Sequence, residues 1–249
     1  MPLIDSPRLS DLDRQAWARL ERYDRVLAER LPLDEMAEQA RQVIRQFADD
    51  GPCYVSVSWG KDSVVVAHLA ATCGVRLPMV WVRVRRWENP DCPAVRDQFL
   101  AEYGEFVDYH EIEVDAAAPR WWEDDAAQTA QSARTSRAGF QVAGREFGGR
   151  YISGIRAEES RVRGIVQARW GHASARTCRP IGDWTAVHVF AYLCRHDLPV
   201  HPVYAMSMGG TLDRRWLRVA SLGGVRGADR GRAEWERHYY SDVVGNRFG

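Results

Sequence analysis

The sequence predicts an α/β fold in which a parallel sheet is covered by helices on both faces. Two observations carry the prediction. Short apolar runs rich in β-branched and aromatic residues alternate with helical stretches through the middle of the chain, which is how a parallel sheet with helical crossovers reads. One of these runs, Cys53 to Val57, also passes through a short polar loop directly into a helix, the connection found at the ligand-binding edge of such sheets.

The elements follow in order. Leu12, Ala16, Leu20, Tyr23 and Leu27 share one helical face, and Met36, Ala40, Val43, Ile44 and Phe47 repeat the pattern after Pro32, so two amphipathic helices are expected first. Cys53 to Val57, bounded by Asp49, Asp50, Gly51 and Pro52, suits a buried strand. Ser63 to Ala71 reads as a helix stopped by Gly74. Leu77 to Val84 is a second strand, Asp91 to Tyr103 a helix, Phe106 to Val114 a third strand and Arg150 to Ile155 a fourth. Between Ala116 and Gly149 no period is sustained, and a lid or insertion is expected. Glu158 to Ala168 and Trp184 to His196 look helical, Leu198 to Met208 is proline-bearing and extended, and helices are expected near Asp213 to Ala220 and Asp229 to Tyr240. The implied division is an N-terminal helical segment over 1–50, a nucleotide-binding α/β domain over 51–205 and a C-terminal helical extension over 206–249.

Composition narrows the function classes. With 45% hydrophobic residues and a formal net charge of zero, the chain can bury a sizeable core and has no overall field for polyanions. Charge is nevertheless uneven: between Arg134 and Arg179 stand ten arginines and three acids, so an anionic ligand is expected there. The N-terminus lacks a basic stretch leading into an apolar one, and no apolar run approaches the length of a membrane span. A cytoplasmic protein without a membrane partner is expected. The five cysteines form no C-x-x-C pair, so neither a disulfide framework nor a zinc knuckle is suggested.

The loop Ser58-Trp59-Gly60-Lys61-Asp62-Ser63 contains the one lysine of the chain; every other one of the 34 basic residues is arginine. A loop entering a helix meets unpaired N–H groups and the positive end of the helix dipole, a ready phosphate site. Gly60 lets the backbone approach an anion, and Ser58 and Ser63 add hydroxyl donors. Lys61 places a compact charge on a flexible stem against phosphate oxygens, and Asp62 is the expected ligand of the Mg²⁺ that accompanies a triphosphate.

This loop resembles the S-G-G-x-D-S pyrophosphate loop of the adenine nucleotide α-hydrolase superfamily, with Trp59 in place of the first glycine. The stretch containing Gly154, Ile155, Arg156, Glu159, Ser160 and Arg163 is similar to the G-[IVL]-R-x-x-[EQ]-S-x-x-R segment of the branch typified by phosphoadenylylsulfate (PAPS) reductases. Arg179 to Leu193, followed by Leu198 to Tyr204, is similar to a third segment of that branch, where Trp184 and Tyr204 read as scaffold and Asp183 or Thr185 as a helix cap. Together these cover about Cys53 to Tyr204.

The resemblance implies a Rossmann-like, HUP-type fold and a bound adenine nucleotide. Arg156 and Arg163 would clamp phosphate or sulfate oxygens, and Trp81, Val82 and Arg83 at the end of the second strand would meet the adenine. Self-sufficient reductases of this branch act through a catalytic cysteine in a C-terminal tail, and this chain has no cysteine after Cys194. The resemblance therefore points to an ATP pyrophosphatase using ATP and Mg²⁺, with Lys61, Asp62, Arg156 and Arg163 as catalytic residues, serving sulfur incorporation such as DNA phosphorothioate modification. Protein partners of a sulfur-transfer or DNA-modification complex, DNA itself and oligomerisation are compatible with that role. Two alternatives stay open: a sulfonucleotide reductase whose thiol comes from elsewhere, and a noncatalytic nucleotide-binding assembly subunit. Lys61 and Asp62 are both expected on an exposed loop.

Overall fold

The computed structural model describes residues 1–84, 88–114, 137–219, 222 and 231–244. Two helices, α1 (Asp11–Arg30) and α2 (Leu33–Asp49), precede strand β1 (Tyr54–Val57), helix α3 (Lys61–Ala71), strand β2 (Pro78–Val84), helix α4 (Cys92–Tyr103) and strand β3 (Asp108–Val114). Helix α5 spans 137–146. Strand β4 (Tyr151–Ile152), helix α6 (Arg161–Trp170), strand β5 (Thr177–Cys178), helix α7 (Ala186–Arg195) and the short helices α8 (Arg232–Tyr239) and α9 (Ser241–Val244) follow.

The five strands form one sheet in the order β3-β2-β1-β4-β5, and every pairing is parallel. Val55 stands beside Met79 on one side and Ile152 on the other. The chain builds outward from β1 through β2 to β3 and then returns to lay β4 on the other flank of β1. This places the topological switch point between β1 and β4, where the carboxyl ends of the strands leave a crevice for a ligand.

Strand alternation distributes the core between the two faces. Val55, Val57, Met79, Trp81 and Ile152 join a large cluster built with α1, α2, α3, α4 and α7. Tyr54, Val80 and Ile112 form a smaller cluster on the opposite face with Ala143 of α5. Helix α3 lies deepest, and of its residues only Asp62 is not buried.

Several elements differ from the sequence reading. Helix α5 occupies part of the stretch without a sustained period, while 115–136 lie outside the described residues. Its period is invisible because Gly139 and Ala143 are its buried residues, whereas Phe140 and Val142 are exposed. Helix α1 is rotated from the expected face: Leu12 and Tyr23 are exposed, and the buried stripe contains Asp13 and Asp24. Both buried carboxylates are hydrogen-bonded. Asp13 accepts from the N–H groups of Ser207 and Gly209 at 3.2 and 2.9 Å and from the Tyr239 hydroxyl, and Asp24 accepts from Arg214 at 2.7 Å. Strand β4 is shorter than expected. Pro202–Tyr204 form a 3₁₀ turn within a stretch read as extended, and the described part of 213–220 makes turns rather than a helix. The cap of α7 is Thr185, which accepts from the His188 N–H.

Two histidines are sealed in this core. His68 on α3 is hydrogen-bonded to the Tyr192 hydroxyl at 2.8 Å, and Nδ1 of His201 accepts from the Val203 N–H at 3.1 Å. Burial pushes both down to about 3, whereas an unfolded histidine titrates near ~6.5. Their stabilising contribution is therefore complete above about pH 6.5, and it is lost as the pH falls toward 3 because only the unfolded chain takes up the protons. Each histidine contributes a slope of about 1.4 kcal/mol per pH unit in that window. Urea midpoints are expected to fall between about pH 7 and about pH 5, where ordinary carboxylates stay ionised. His201→Asn, which keeps an acceptor for the Val203 N–H, should flatten the dependence; an unchanged slope would contradict this assignment.

Candidate functional site

A cleft of about 720 Å³ opens at the switch point. Its floor is the connection from β1 to α3: Ser58, Gly60, Lys61, Asp62 and Ser63 all line it. The loop is locked from within. The Ser63 hydroxyl donates to the Gly60 carbonyl at 3.1 Å and accepts from the Ser58 N–H at 3.2 Å. The N-cap of α3 is Gly60, which has no side chain to cap the helix, so the first turn turns its backbone N–H groups toward the cleft. One of them, on Lys61, donates to the Tyr204 hydroxyl at 3.0 Å. A Cβ at Gly60 would stand 3.0 Å from that same hydroxyl, so a larger residue there would crowd Tyr204. Burial pushes the Tyr204 phenol far above its ordinary range, leaving a neutral hydroxyl to hold the loop.

Trp59 takes the left-handed conformation at φ 58°. For a bulky residue this costs about 1–3 kcal/mol. Its ring is wholly buried, with ring centroids 6.2 Å from Trp81, 5.6 Å from Phe99 and 5.8 Å from Tyr109. Burying roughly 200 Å² of tryptophan is worth on the order of 5 kcal/mol, so packing outweighs strain. A glycine is dispensable here because the side chain supplies its own compensation. The Trp59 side chain consequently points into the core and does not line the cleft.

Beneath the floor runs a chain of charges. Nζ of Lys61 donates to one oxygen of Asp62 at 2.9 Å, and Nε of Arg156 donates to the other at 2.7 Å. Arg156 also donates to Glu158 at 2.6 Å and to the Trp184 carbonyl at 3.2 Å, and Glu158 accepts from the N–H of Ala186 in the first turn of α7 at 2.7 Å. Lys61 is 3% exposed and Arg156 1%. Burial by itself would lower the pKa of Arg156, but Asp62 and Glu158 outweigh it and raise the value. The two halves of the site meet backbone to backbone, since a Cβ on Gly154 would lie 2.7 Å from the Asp62 carbonyl carbon. Any larger residue there would push β4 off α3.

The expected residues are therefore unequally placed. Ser58, Gly60, Lys61, Asp62, Ser63, Val82, Gly154, Ile155, Glu159 and Arg163 line the cleft. Arg156 faces away from it, into the carboxylates of Asp62 and Glu158. Ser160 caps α6 by accepting from the Arg163 N–H at 3.3 Å. Trp81 is in the core beside Trp59, because alternation along β2 sends Val82 to the cleft and its neighbours to the other face. Arg83 is drawn to Glu88 at 2.8 Å. Lys61 is buried rather than exposed.

Sequence reasoning missed Arg137, Phe140, Tyr151, Ser153, Arg218 and Val219, which also line the cleft. The arginine-rich stretch pointed to Arg137 in general terms, whereas no local signal marks Arg218. Lys61, Arg137, Arg163 and Arg218 face two carboxylates, Asp62 and Glu159. Both acids are occupied: Asp62 by Lys61 and Arg156, Glu159 by Arg163 and the Arg156 N–H. The cleft thus has an excess of positive charge beside the N-terminus of α3 and an apolar wall, an arrangement that fits a phosphorylated ligand with an apolar ring.

Comparisons with known proteins agree with this geometry. The family model of the phosphoadenosine phosphosulfate reductase domain matches residues 52–226. A phosphoadenosine 5'-phosphosulfate reductase of Synechococcus sp. is 25% identical over 185 residues, covering 68% of this chain and 78% of that protein. Among solved structures, the PAPS reductase of Candida auris, a phosphate complex, is similar at a TM-score of 0.55 with 14% identity, covering 78% of this chain and 95% of that one. The NMN synthetase of Francisella tularensis is similar at 0.51 with 11% identity, covering 87% and 96%. The last two likenesses show a shared α/β Rossmann-like fold of the HUP type. With a family match over most of its length, the chain belongs to the phosphoadenosine phosphosulfate reductase domain family, within the adenine nucleotide α-hydrolase superfamily.

Proposed function

We propose that the cleft binds ATP and cleaves it between the α and β phosphates, passing the adenylyl group to an oxygen acceptor as a step in sulfur incorporation. The observation that carries this reading is a cleft lined, among the described residues, by four cations and no cysteine. Cys53, Cys73, Cys92 and Cys178 are buried and Cys194 is half-buried. Burial pushes all five thiols up, Cys178 to about 12, which keeps them protonated and poorly nucleophilic.

In the proposed step an acceptor oxygen attacks the α phosphorus, the bond to the bridging oxygen breaks, and its electron pair leaves on pyrophosphate. Lys61, Arg163 and the N–H groups of the first turn of α3 would neutralise the charge gathering on that leaving group. Val82, Phe140 and Tyr151 supply the apolar wall for adenine. Among the described residues no group of three or more His, Cys, Asp or Glu could hold a metal ion by itself. Mg²⁺ needs only one or two carboxylates when phosphates complete its shell. Asp62 fits that role once Lys61 transfers from the carboxylate to phosphate, and the ion would add charge neutralisation there. Arg156 acts in this reading by holding Asp62, not by touching phosphate. We place the acceptor in DNA phosphorothioate modification or a similar sulfur-transfer complex; helix α6, with Arg161, Arg163 and Arg169 and no acid, suits a polyanionic partner.

The family match also favours a second reading, reduction of a sulfonucleotide by a thiol brought by another protein. Product analysis separates the two. Incubation with Mg²⁺ and ATP is expected to yield AMP and pyrophosphate, with the rate falling roughly 100- to 1,000-fold in Lys61→Ala. Sulfite released from PAPS in the presence of a thiol would favour the second reading, and ADP with phosphate from ATP would contradict both.

Because Lys61 is the one lysine of the chain, an amine-directed ester followed by peptide mapping reports on it separately from the N-terminus. Arg156→Gln should slow its modification several-fold, since Asp62 relieved of one cation holds the other more tightly. Asp62→Asn should speed it, and Arg156→Lys should restore the wild-type rate. Equal rates in all four proteins would show that Arg156 does not act through Asp62.

A further inference from the structure

A second chamber of about 170 Å³ adjoins the cleft between β4, β5 and α6; Tyr151, Ser153, Ile155 and Arg163 line both. Its remaining polar wall is Gln167, Thr177 and Arg179, and among the described residues no carboxylate lines it. Arg179 is 7% exposed. It donates to the Thr177 hydroxyl at 2.8 Å and the Gly171 carbonyl at 3.1 Å, while its Nε has no hydrogen-bond partner. Among the described residues it forms no ion pair. Two further buried polar atoms at the chamber are also unpartnered: the hydroxyl oxygen of Ser153, a residue 8% exposed, and Oε1 of Gln167.

A guanidinium remains charged throughout the working pH range, and a buried charge without a countercharge is costly. Three residues lining this one chamber each carry an unpartnered buried polar atom, and such groups call for a partner. Donors dominate the wall: the guanidinium groups of Arg179 and Arg163, the hydroxyl of Ser153, and the amide of Gln167, which can turn its NH₂ inward. We propose that this chamber is an oxyanion subsite, taking a phosphate- or sulfate-class group of the molecule that meets the nucleotide in the cleft. Its mouth is shared with the cleft at Ser153 and Arg163, so an acceptor anchored there would have its reactive end beside the loop of Lys61. This assignment of the occupant rests on the reading of the cleft as a nucleotide site, whereas the anion site itself does not.

The test is calorimetric titration of inorganic phosphate at constant ionic strength, with and without saturating α,β-methylene-ATP. Phosphate is expected to bind in the presence of the analogue, and Gln167→Leu and Arg179→Met are expected to weaken it about tenfold or more while leaving analogue affinity unchanged. Arg179 also supports the Gly171 turn, so Gln167→Leu carries the test if Arg179→Met does not fold. If the analogue fails to bind, phosphate binding that survives Lys61→Ala and is lost in Gln167→Leu still supports the subsite, and only the nucleotide reading falls. Phosphate that merely competes with the analogue, no binding at millimolar phosphate, or binding indifferent to Gln167→Leu would overturn the proposal. Comparing phosphate, sulfate and a phosphate monoester then tells whether a free ion or a substrate headgroup is the better occupant.

Discussion

The Asp62 carboxylate shared between Lys61 and Arg156 is the interaction on which the site depends. Two cations that are almost fully buried meet one acid at 2.9 and 2.7 Å. Each charge alone would be expensive in this interior, and removing one partner leaves another uncompensated. The arrangement survives because the chain of pairings continues through Glu158 to the helix dipole of α7. It also requires β4 to approach α3 more closely than any side chain at position 154 would permit. Geometry at the switch point of the sheet and charge at the phosphate loop are therefore one problem with one solution. A ligand with phosphate oxygens can take Lys61 from Asp62 without leaving the carboxylate bare, because Arg156 stays.

A second constraint runs from the chain termini. Asp13 and Asp24, on α1, hold Ser207, Gly209, Tyr239 and Arg214. These contacts fix the segment that brings Arg218 and Val219 to the rim of the cleft. Nothing in the local sequence of α1 announces this, because buried carboxylates are indistinguishable from surface ones until their partners are known. The same blindness explains why the expected apolar face of α1 was off by part of a turn: Leu12 and Tyr23 are exposed so that two acids can be inside.

What the sequence made legible was whatever local chemistry determines. Strand alternation with helices and a strand-loop-helix carrying the lone lysine were enough to anticipate the parallel sheet and a ligand loop at its edge. Residues whose orientation depends on distant partners were not legible. Arg156 reads as a phosphate clamp from its motif, yet its guanidinium is captured by Asp62 from another element. Trp81 and Arg83 stand next to the cleft residue Val82 but fall on the opposite side of the pleat. Trp59 occupies a glycine position because aromatic packing in the core offsets a strained backbone, a trade visible only once Phe99 and Tyr109 are seen around it. Strand β5, two residues long, is too short to leave a periodic signal.

The most direct test of the account is a crystal structure with a nonhydrolysable ATP analogue and Mg²⁺. The account predicts the triphosphate against the first turn of α3, with the Lys61 ammonium withdrawn from Asp62 onto phosphate oxygens and Arg156 still bonded to Asp62. An analogue bound elsewhere, or Lys61 unmoved on Asp62 while Arg156 reaches the phosphates, would contradict it.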